Sequence, residues 1–488
     1  MADFPPELWA EITSYLPDCT VFSLMFLSRT FYALALQREY RALTANCFSR
    51  SVQLKLRTLK HDEYRARCVR SVALHPITEG NIHGNPMLPN VRWTWLDGLF
   101  QKFANRYSSL SPRKVESTLN DALLRLTNLA ELVVVNDDCP ASRFPKIPWN
   151  VYAANLQHLD LTMPLGKAKT LPLDVSFPQL SKFSFRPCPE SDNLFDVPEH
   201  VRLTASFING LRPTLTHLRI MHNDSISYIR DLYSALGRFP HLISLQANSP
   251  SASIGFIRRH SDQLCGLNFS SITSLSPVTL EGIEFNGLLK LTLRLGDIEA
   301  SRWWTLPSLF LGSIVPTLYI LNIESWILEK DFMAFLSAVE HLSIYKGSSC
   351  VLEELSLSVT AVSSTILRAI AQAFPNLRSL NLNLEMVAIG KTMSIEPTAC
   401  FPYTPQQINQ LLFRNNFRYA WVGIEWNLEE LTIVRRDSKG KDAERILWGF
   451  MLLISDCFPS IYGFNNQGDK AIPNEIAQII SQERNLLN

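Results

Sequence analysis

The chain has 488 residues, with 46 Lys and Arg against 45 Asp and Glu, and a formal net charge of +1. That balance leaves no global field to recruit nucleic acid or a membrane surface. Hydrophobic residues at 46% and charged residues at 19% exclude a disordered chain. The length exceeds what one compact hydrophobic core serves, so either several domains or a stack of repeats is expected.

Residues 4–36 come first and differ from the rest. Twenty of these 33 residues are apolar or aromatic, too many for three short helices to hide among themselves. Leu8, Ile12 and Leu16 recur every four residues, one stripe of a helix that Pro17 ends. Asp18 or Thr20 can cap a second helix carrying Val21, Leu24 and Leu27. Ser28 can cap a third, with Phe31, Leu34, Ala35 and Ala42 on one side. Trp9, Phe22, Met25 and Phe26 fall outside these stripes, and the surplus must face the remaining chain or a partner.

The order of residues here resembles the F-box. Phe4-Pro5-Pro6-Glu7-Leu8 stands for that family's Leu-Pro-x-Glu-Leu. Ile12 and Tyr15-Leu16-Pro17 follow, then Asp18-Cys19-Thr20-Val21 with Leu24, then Leu27-Ser28-Arg29-Thr30-Phe31 for Val-Ser-Lys/Arg-x-Trp. Phe4 for Leu and Phe31 for Trp are departures that keep bulk. The resemblance implies a surface for a Skp-family adaptor, and through it a cullin, made by Phe4, Pro5, Pro6, Leu8, Ile12, Leu16, Pro17, Val21 and Leu24. The motif is read over residues 1–48.

Residues 49–114 read as a linker. Across 38–70 nine Arg or Lys meet three acids, which reads as a solvated helix face. Pro76, Gly80, Gly84, Pro86 and Pro89 mark a loop.

From residue 115 to 488 one frame returns, L-x-x-L-x-L. It reads Leu156-x-x-Leu159-x-Leu161, and starts again at Leu215, Leu288, Leu318, Leu352, Leu377 and Leu428. Weaker copies start at Leu129, Leu180, Leu242, Leu264 and Ile461. The alternating part is a strand with one buried face. Apolar helical faces stand before several copies: Leu119, Ala122, Leu123 and Leu126; Ile229, Leu232, Tyr233 and Leu236; Val362, Ile366, Ile370 and Phe374. Helices are expected to end at Phe177-Pro178, Phe239-Pro240, Phe374-Pro375 and Phe458-Pro459. Val339-x-x-Leu342-x-Ile344 also fits the frame and reads as a helix end or an extra strand. One strand and one helix cannot bury their own apolar faces, so copies must stack.

This frame resembles the leucine-rich repeat in its long, helix-bearing form. The family's Asn or Cys three residues after the third Leu is matched only by Asn223. The expected fold class is therefore α/β: a short all-helical N-terminus, then a repeat solenoid with a parallel concave sheet and convex helices, and an insertion near 385–427.

Between the leucines lie residues expected on the wet, concave side. They include His158, Asp160, Thr162, His217, Arg219, Met221, Lys290, Thr292, Arg294, Glu354, Ser379 and Asn381. His217, Arg219, Lys290, Arg294, Glu354, Ser379 and Asn381 are the candidates for holding a protein target. Trp303, Trp304, Trp326 and Trp421 are expected in loops or helices.

No G-x-S-x-G, P-loop or H-E-x-x-H motif is present, so no catalytic residue is expected. The nine cysteines have no C-x-x-C pair, and His200, His217, His222, His241 and His260 lack ligand spacing. No metal and no cofactor are expected. Asp3 and Glu7 stand where a secretory signal would be basic and then apolar, and no apolar run reaches about 18 residues. The expectation is an intracellular protein, cytoplasmic or nuclear, with no membrane and no nucleic-acid partner. By the F-box resemblance it recruits a protein target to a ubiquitin ligase. The alternative is a repeat scaffold whose N-terminal helices merely cap the first repeat.

Overall fold

The computed structural model describes residues 5–45, 50–75, 112–135, 146–188, 197–221, 228–248, 250–272, 282–295, 314–327, 329–346, 350–362, 364–387, 426–435 and 463–464. The chain divides into two compact units, Met1–Leu242 and Ile243–Asn488.

The first unit opens with three helices, α1 (Pro6–Ser14), α2 (Asp18–Leu24) and α3 (Arg29–Tyr40). Strands and helices then alternate: β1 (Ala42–Ala45), α4 (Arg50–His61), α5 (Glu63–Cys68), β2 (Ser71–Leu74), α6 (Pro112–Leu123), β3 (Glu131–Val135), α7 (Trp149–Tyr152) and β4 (His158–Pro164). A 3-10 helix (Leu165–Thr170) leads to β5 (Lys182–Cys188), α8 (Val197–Gly210), β6 (His217–Ile220) and α9 (Ile229–Ala235). The six strands pair in chain order and all pairs are parallel. Parallel neighbours need a crossover, which the intervening segments supply.

Register lines the frame up across strands. Leu43, Val72, Leu132, Leu159, Phe183 and Leu218 form one row, and all are buried. Ala45, Leu74, Val134, Leu161, Phe185 and Ile220 form the next, also buried. At about 25 cal/mol per Å² of apolar surface removed from water, such rows are the unit's main stabilisation.

The second unit holds β7 (Ser244–Ala247), α10 (Pro250–His260), β8 (Gly266–Ile272), β9 (Lys290–Leu295), β10 (Ile320–Ile327), α11 (Glu329–Lys346), β11 (Glu354–Val362), α12 (Ser364–Ala373), β12 (Ser379–Val387), β13 (Glu430–Arg435) and β14 (Gly463–Phe464). These strands also pair in order and in parallel. Leu245, Leu267, Leu291, Leu321, Leu355, Leu380 and Leu431 make its buried row. The expected α/β class, helices first and then a solenoid-like run of parallel strands, is therefore what the chain adopts.

Several expectations are corrected. The sheet begins at Ala42 rather than near residue 115, so the presumed linker contains the repeats' first turn. Tyr40-x-x-Leu43-x-Ala45 and Val69-x-x-Val72-x-Leu74 are the same frame written without leucine, and all six residues are buried. The basic residues there are not merely solvated. Lys60 pairs with Asp121 of α6 at 2.6 Å, and the Arg65 guanidinium lies 5.5 Å from the Tyr40 ring centre. Val362 belongs to β11, not to the following helix. Val339, Leu342 and Ile344 lie in the C-terminal part of α11, so of the two readings of that copy the helix end holds and the extra strand does not. Trp326 lies in β10, not in a loop or helix.

Of the Phe-Pro pairs, only Phe374 follows a helix directly, since α12 ends at Ala373. Phe177 follows the segment after the 3-10 helix, and α9 ends four residues before Phe239. What the three share is a buried phenyl ring. Phe458-Pro459, Asn223, Trp303, Trp304 and Trp421 lie outside the described residues, as does the insertion except its two ends.

The repeats are tied together by a residue the frame does not include. The residue just before the first leucine reaches back to a carbonyl of the preceding repeat. Asn128 Nδ2 donates to the Arg67 carbonyl at 3.0 Å, Asn155 Nδ2 to Thr127 at 2.9 Å and Asn376 Nδ2 to Cys350 at 2.9 Å. Thr317 Oγ1 donates to the Leu288 carbonyl at 3.1 Å. Each satisfies a turn carbonyl that would otherwise need water.

Candidate functional site

The N-terminal helices fold around little. Val21, Phe22 and Ala35 form the buried cluster, with Leu16 and Met25 packed against it. Ser28 caps α3 as the sequence predicts, its Oγ accepting from the Phe31 N–H at 3.2 Å. Asp18 does not cap α2; Pro17 holds that position. Asp18 instead receives Arg38 Nη1 at 2.8 Å. The same Arg38 donates to the Leu16 carbonyl at 2.9 Å and to the Thr13 carbonyl. One guanidinium from α3 thus holds the end of α1 and the start of α2, using the planar fork that suits several acceptors. Trp9 of α1 meets Phe31 of α3 with ring centres 4.9 Å apart.

That frame leaves large apolar side chains in water. Leu8 is 43% exposed, Ile12 44%, Tyr15 81%, Phe26 78% and Leu27 70%. Leu8 and Ile12 are one turn apart on α1, so they share a face. Exposed apolar groups this dense in a stretch of about 20 residues exceed the single scattered side chains usual on a protein surface.

The predicted adaptor residues divide accordingly. Pro5, Leu8, Ile12 and Pro17 are exposed, and Leu16 and Leu24 are half-buried. Val21 is fully buried, so it supports the surface from beneath and cannot touch a partner. Its position one turn from Met25 and next to Phe22 puts it on the side of α2 that faces α3. Phe4 and the Pro6 side chain lie outside the described residues. Tyr15, Phe26 and Leu27 belong to the exposed set although the sequence does not place them on the adaptor surface. Phe26 is signalled as apolar bulk outside the helical stripes, whereas Leu27, expected in the second stripe, lies beyond the end of α2 at Leu24.

The second candidate is the strand face opposite the buried rows. In the first unit Glu131, His158, Lys182 and His217 stand in one register row, and Val133, Asp160, Ser184 and Arg219 in the next. His158 Nδ1 lies 3.2 Å from a Glu131 carboxylate oxygen. Burial, then the charges of Lys182 and His158, holds the His217 imidazole below the usual histidine range. In the second unit Lys290 and Glu354 are exposed in one row with Ile320 between them and Ser379 beyond. Asn381 stands opposite Ser356, and Arg294, exposed, opposite Ser270.

This face is less wet than expected. Thr162, Ser184, Asn248, Ser270 and Thr292 are buried. In-register neighbours about 4.8 Å away shade short side chains. Thr292 stands between Asn268 and Asn322, and Asn322 Nδ2 donates to its hydroxyl at 3.5 Å. Ser270 Oγ donates to Asn248 Oδ1 at 2.9 Å. Lys182 and Arg186 of β5 are exposed here too. They were missed because β5 writes the frame with Phe183 and Phe185.

Among the described residues no three His, Cys, Asp or Glu are grouped to hold a metal. His200 and His260 are buried and His241 is exposed, on separate elements. Cys350 is buried, which pushes its thiol up, and Cys19 is exposed; His222 lies outside the described residues.

A model of the F-box domain matches residues 1–41. No curated protein matches the chain. Among solved structures, a chain of the Rad7 and Elc1 complex in yeast is similar at 15% identity with a TM-score of 0.33, covering 66% of this chain and 75% of that one.

Proposed function

We propose that this F-box protein is a substrate-recognition subunit of a Skp–cullin–F-box type ubiquitin ligase, recruiting a protein target through its strand faces. The F-box would hold a Skp-family adaptor and, through it, a cullin. Ligation chemistry would belong to the partner subunits. The observation that carries the reading is the apolar surface of residues 8–27, held open by Arg38 while the cluster beneath it is satisfied. An apolar surface maintained in water is stabilised only when a partner covers it.

The capping alternative also has a foothold, at the other end of α3. Tyr40 is buried where α3 runs into β1, under Arg65 and within 5.8 Å of Lys55 Nζ. The two roles divide the helix: its C-terminal end closes the first repeat, and α1 with the end of α2 faces outward. Capping by Tyr40 does not cover Leu8, Ile12 or Phe26.

The test is co-purification of the full chain with a Skp-family adaptor, followed by addition of a cullin. Retention of both supports the ligase reading. A well-folded chain that retains neither leaves only the scaffold.

A further inference from the structure

The residue just before each repeat strand forms a row of its own along the strand starts. Its carbonyl accepts the N–H of the equivalent residue in the next repeat, as when Leu289 N–H donates to Cys265 and Tyr319 N–H to Leu289, both at 2.8 Å. In the first unit this row reads Arg41, Arg70, Ala130, Gln157, Ser181 and Thr216, none of them a large apolar residue. In the second unit the same position reads Ile243, Cys265, Leu289 and Tyr319, and then Glu353, Arg378 and Glu429. Ile243, Leu289 and Tyr319 are exposed, and Cys265 is half-buried. The first unit builds the same ladder with polar side chains, so the repeat itself does not require apolar ones in water.

The other half of the row is acidic. Glu353 accepts from the Tyr319 hydroxyl at 2.5 Å, and the Arg378 Nε lies 3.6 Å from Glu353 and 4.0 Å from Glu429. Glu354 and Glu430, the first residues of β11 and β13, stand in register with Ser379 between them. In these two rows four carboxylates stand with Arg378, an excess that attracts a cation. Register neighbours lie roughly 4.8 Å apart, so the four apolar positions span roughly 14 Å and the whole row roughly 29 Å. A helix places same-face residues about 5.4 Å apart per turn, and an extended segment about 6.6 Å. Over three intervals a helix stripe drifts from the row by about 2 Å and an extended segment by about 5 Å.

We propose that this row docks an amphipathic helix of a protein target. Its apolar stripe lies along Ile243, Cys265, Leu289 and Tyr319, and a Lys or Arg of its last turn meets Glu353, Glu354 and Glu430. A basic last turn also complements the partner helix's own dipole. Lys290, exposed beside Leu289, repels a basic residue at the apolar end and so fixes the direction. This docking deepens the target-binding reading and rests on it, with the contact at the strand starts of the second unit rather than on the strand faces.

The test is selection by the purified full chain from two display libraries of peptides about 20 residues long, enough helix to span the row. One carries Leu at four helix-spaced positions, the other at alternating positions, and all else is randomised. The helix-spaced library should yield retained sequences enriched in Lys and Arg in the last turn. A synthetic copy of the best sequence, followed by fluorescence anisotropy, should bind about tenfold or more weakly to Leu289→Ser/Tyr319→Ser, which changes only exposed side chains. Glu354→Gln/Glu430→Gln should weaken it as much, and Leu8→Asp/Ile12→Asp in the F-box should leave it unchanged.

No enrichment from the helix-spaced library, or preference for the alternating one, would overturn the proposal. So would a peptide that binds both rim variants as well as wild type, or one that tolerates Glu in place of its basic residues. A full chain that sediments as a dimer, and as a monomer with Leu289→Ser/Tyr319→Ser, would overturn the assigned partner in favour of a second copy. Adaptor binding measured on the same preparations separates these failures from failure of the ligase reading.

Discussion

Leu8 and Leu218 are the same residue with opposite fates. In the F-box, Leu8, Ile12, Phe26 and Leu27 stand in water. In the repeats, Leu159, Leu218, Leu291 and Leu380 are buried in register rows. The difference lies in what each region can stack upon. A repeat strand always has another copy beside it, so its apolar side is covered from within the chain. The three short helices leave Leu8, Ile12, Phe26 and Leu27 exposed, and Arg38 ties the helices together in that arrangement. Apolar burial in the repeats maintains the fold; apolar exposure in the F-box is available to a partner.

The sharpest way to break this comparison is to truncate one leucine in each region. Leu291→Ala should lower unfolding stability by about 2–5 kcal/mol in denaturant titration. Leu291 already lines a small apolar cavity with Leu318, Phe335 and Phe374, so truncation enlarges a void. Leu8→Ala should cost much less, about 0.5 kcal/mol, because Leu8 is already 43% exposed. Equal losses at the two sites would mean that the exposed face is a mislaid part of the core.

Arg38→Ala comes next. It removes charged donors from two carbonyls and from Asp18, and should cost about 1.5–3 kcal/mol. The loss should be local, seen as faster amide exchange in α1 and α2 with α6 and β4 unchanged. Uniform acceleration across the first unit would show that the F-box and the repeats unfold together.

Asn155→Ala tests the ties between repeats and should cost about 0.5–1.5 kcal/mol. Asn155→Asp, which loses the donor but keeps the shape, should cost a similar amount. A neutral result for both would leave the leucine rows as the sole inter-repeat stabilisation.

The smallest effect concerns pH. Burial and neighbouring cations depress the folded-state pKa of His217, so the unfolded chain binds its proton first as pH falls. Stability should be constant above about pH 6.5 and decline as pH falls below it, levelling once the folded form is also protonated. His217→Gln should flatten part of that slope in melting temperature between neutral and mildly acidic pH. An unchanged slope would assign it to other groups.

Much of this was legible because leucine spacing carries strand register directly. Leu156, Leu288 and Leu377 predicted β4, β9 and β12, and Leu8 and Ile12 predicted α1, although Leu16 of the same stripe lies beyond its end at Ser14. The first two strands were hidden because Tyr40, Val69 and Val72 fill frame positions with other apolar residues. The burial of Thr292 was hidden because it depends on the neighbours Asn268 and Asn322, which are distant in sequence. Lys182 and Arg186 were obscured by phenylalanine in the frame. Arg38 gave no signal at all, since its three acceptors lie 20 to 25 residues away.

Leu16 teaches a further point. It continues the Leu8 and Ile12 spacing in sequence, but α1 ends at Ser14 and Leu16 packs on the Val21 cluster, so a charge there would damage the fold as well as the surface. Ile12, exposed and one turn from Leu8, is the cleaner partner for Leu8 in any binding test.

The most direct measurement is calorimetric titration of a Skp-family adaptor into the full chain, wild type and Leu8→Asp/Ile12→Asp, with melting temperatures taken alongside. Covering a leucine or isoleucine side chain is worth about 1.5–3 kcal/mol, and a charge left there without a partner costs at least as much. Saturable binding by the wild type, absent in a variant that melts at the same temperature, is the predicted result. A folded wild type that binds no adaptor, or a variant that binds as well as wild type, would contradict it.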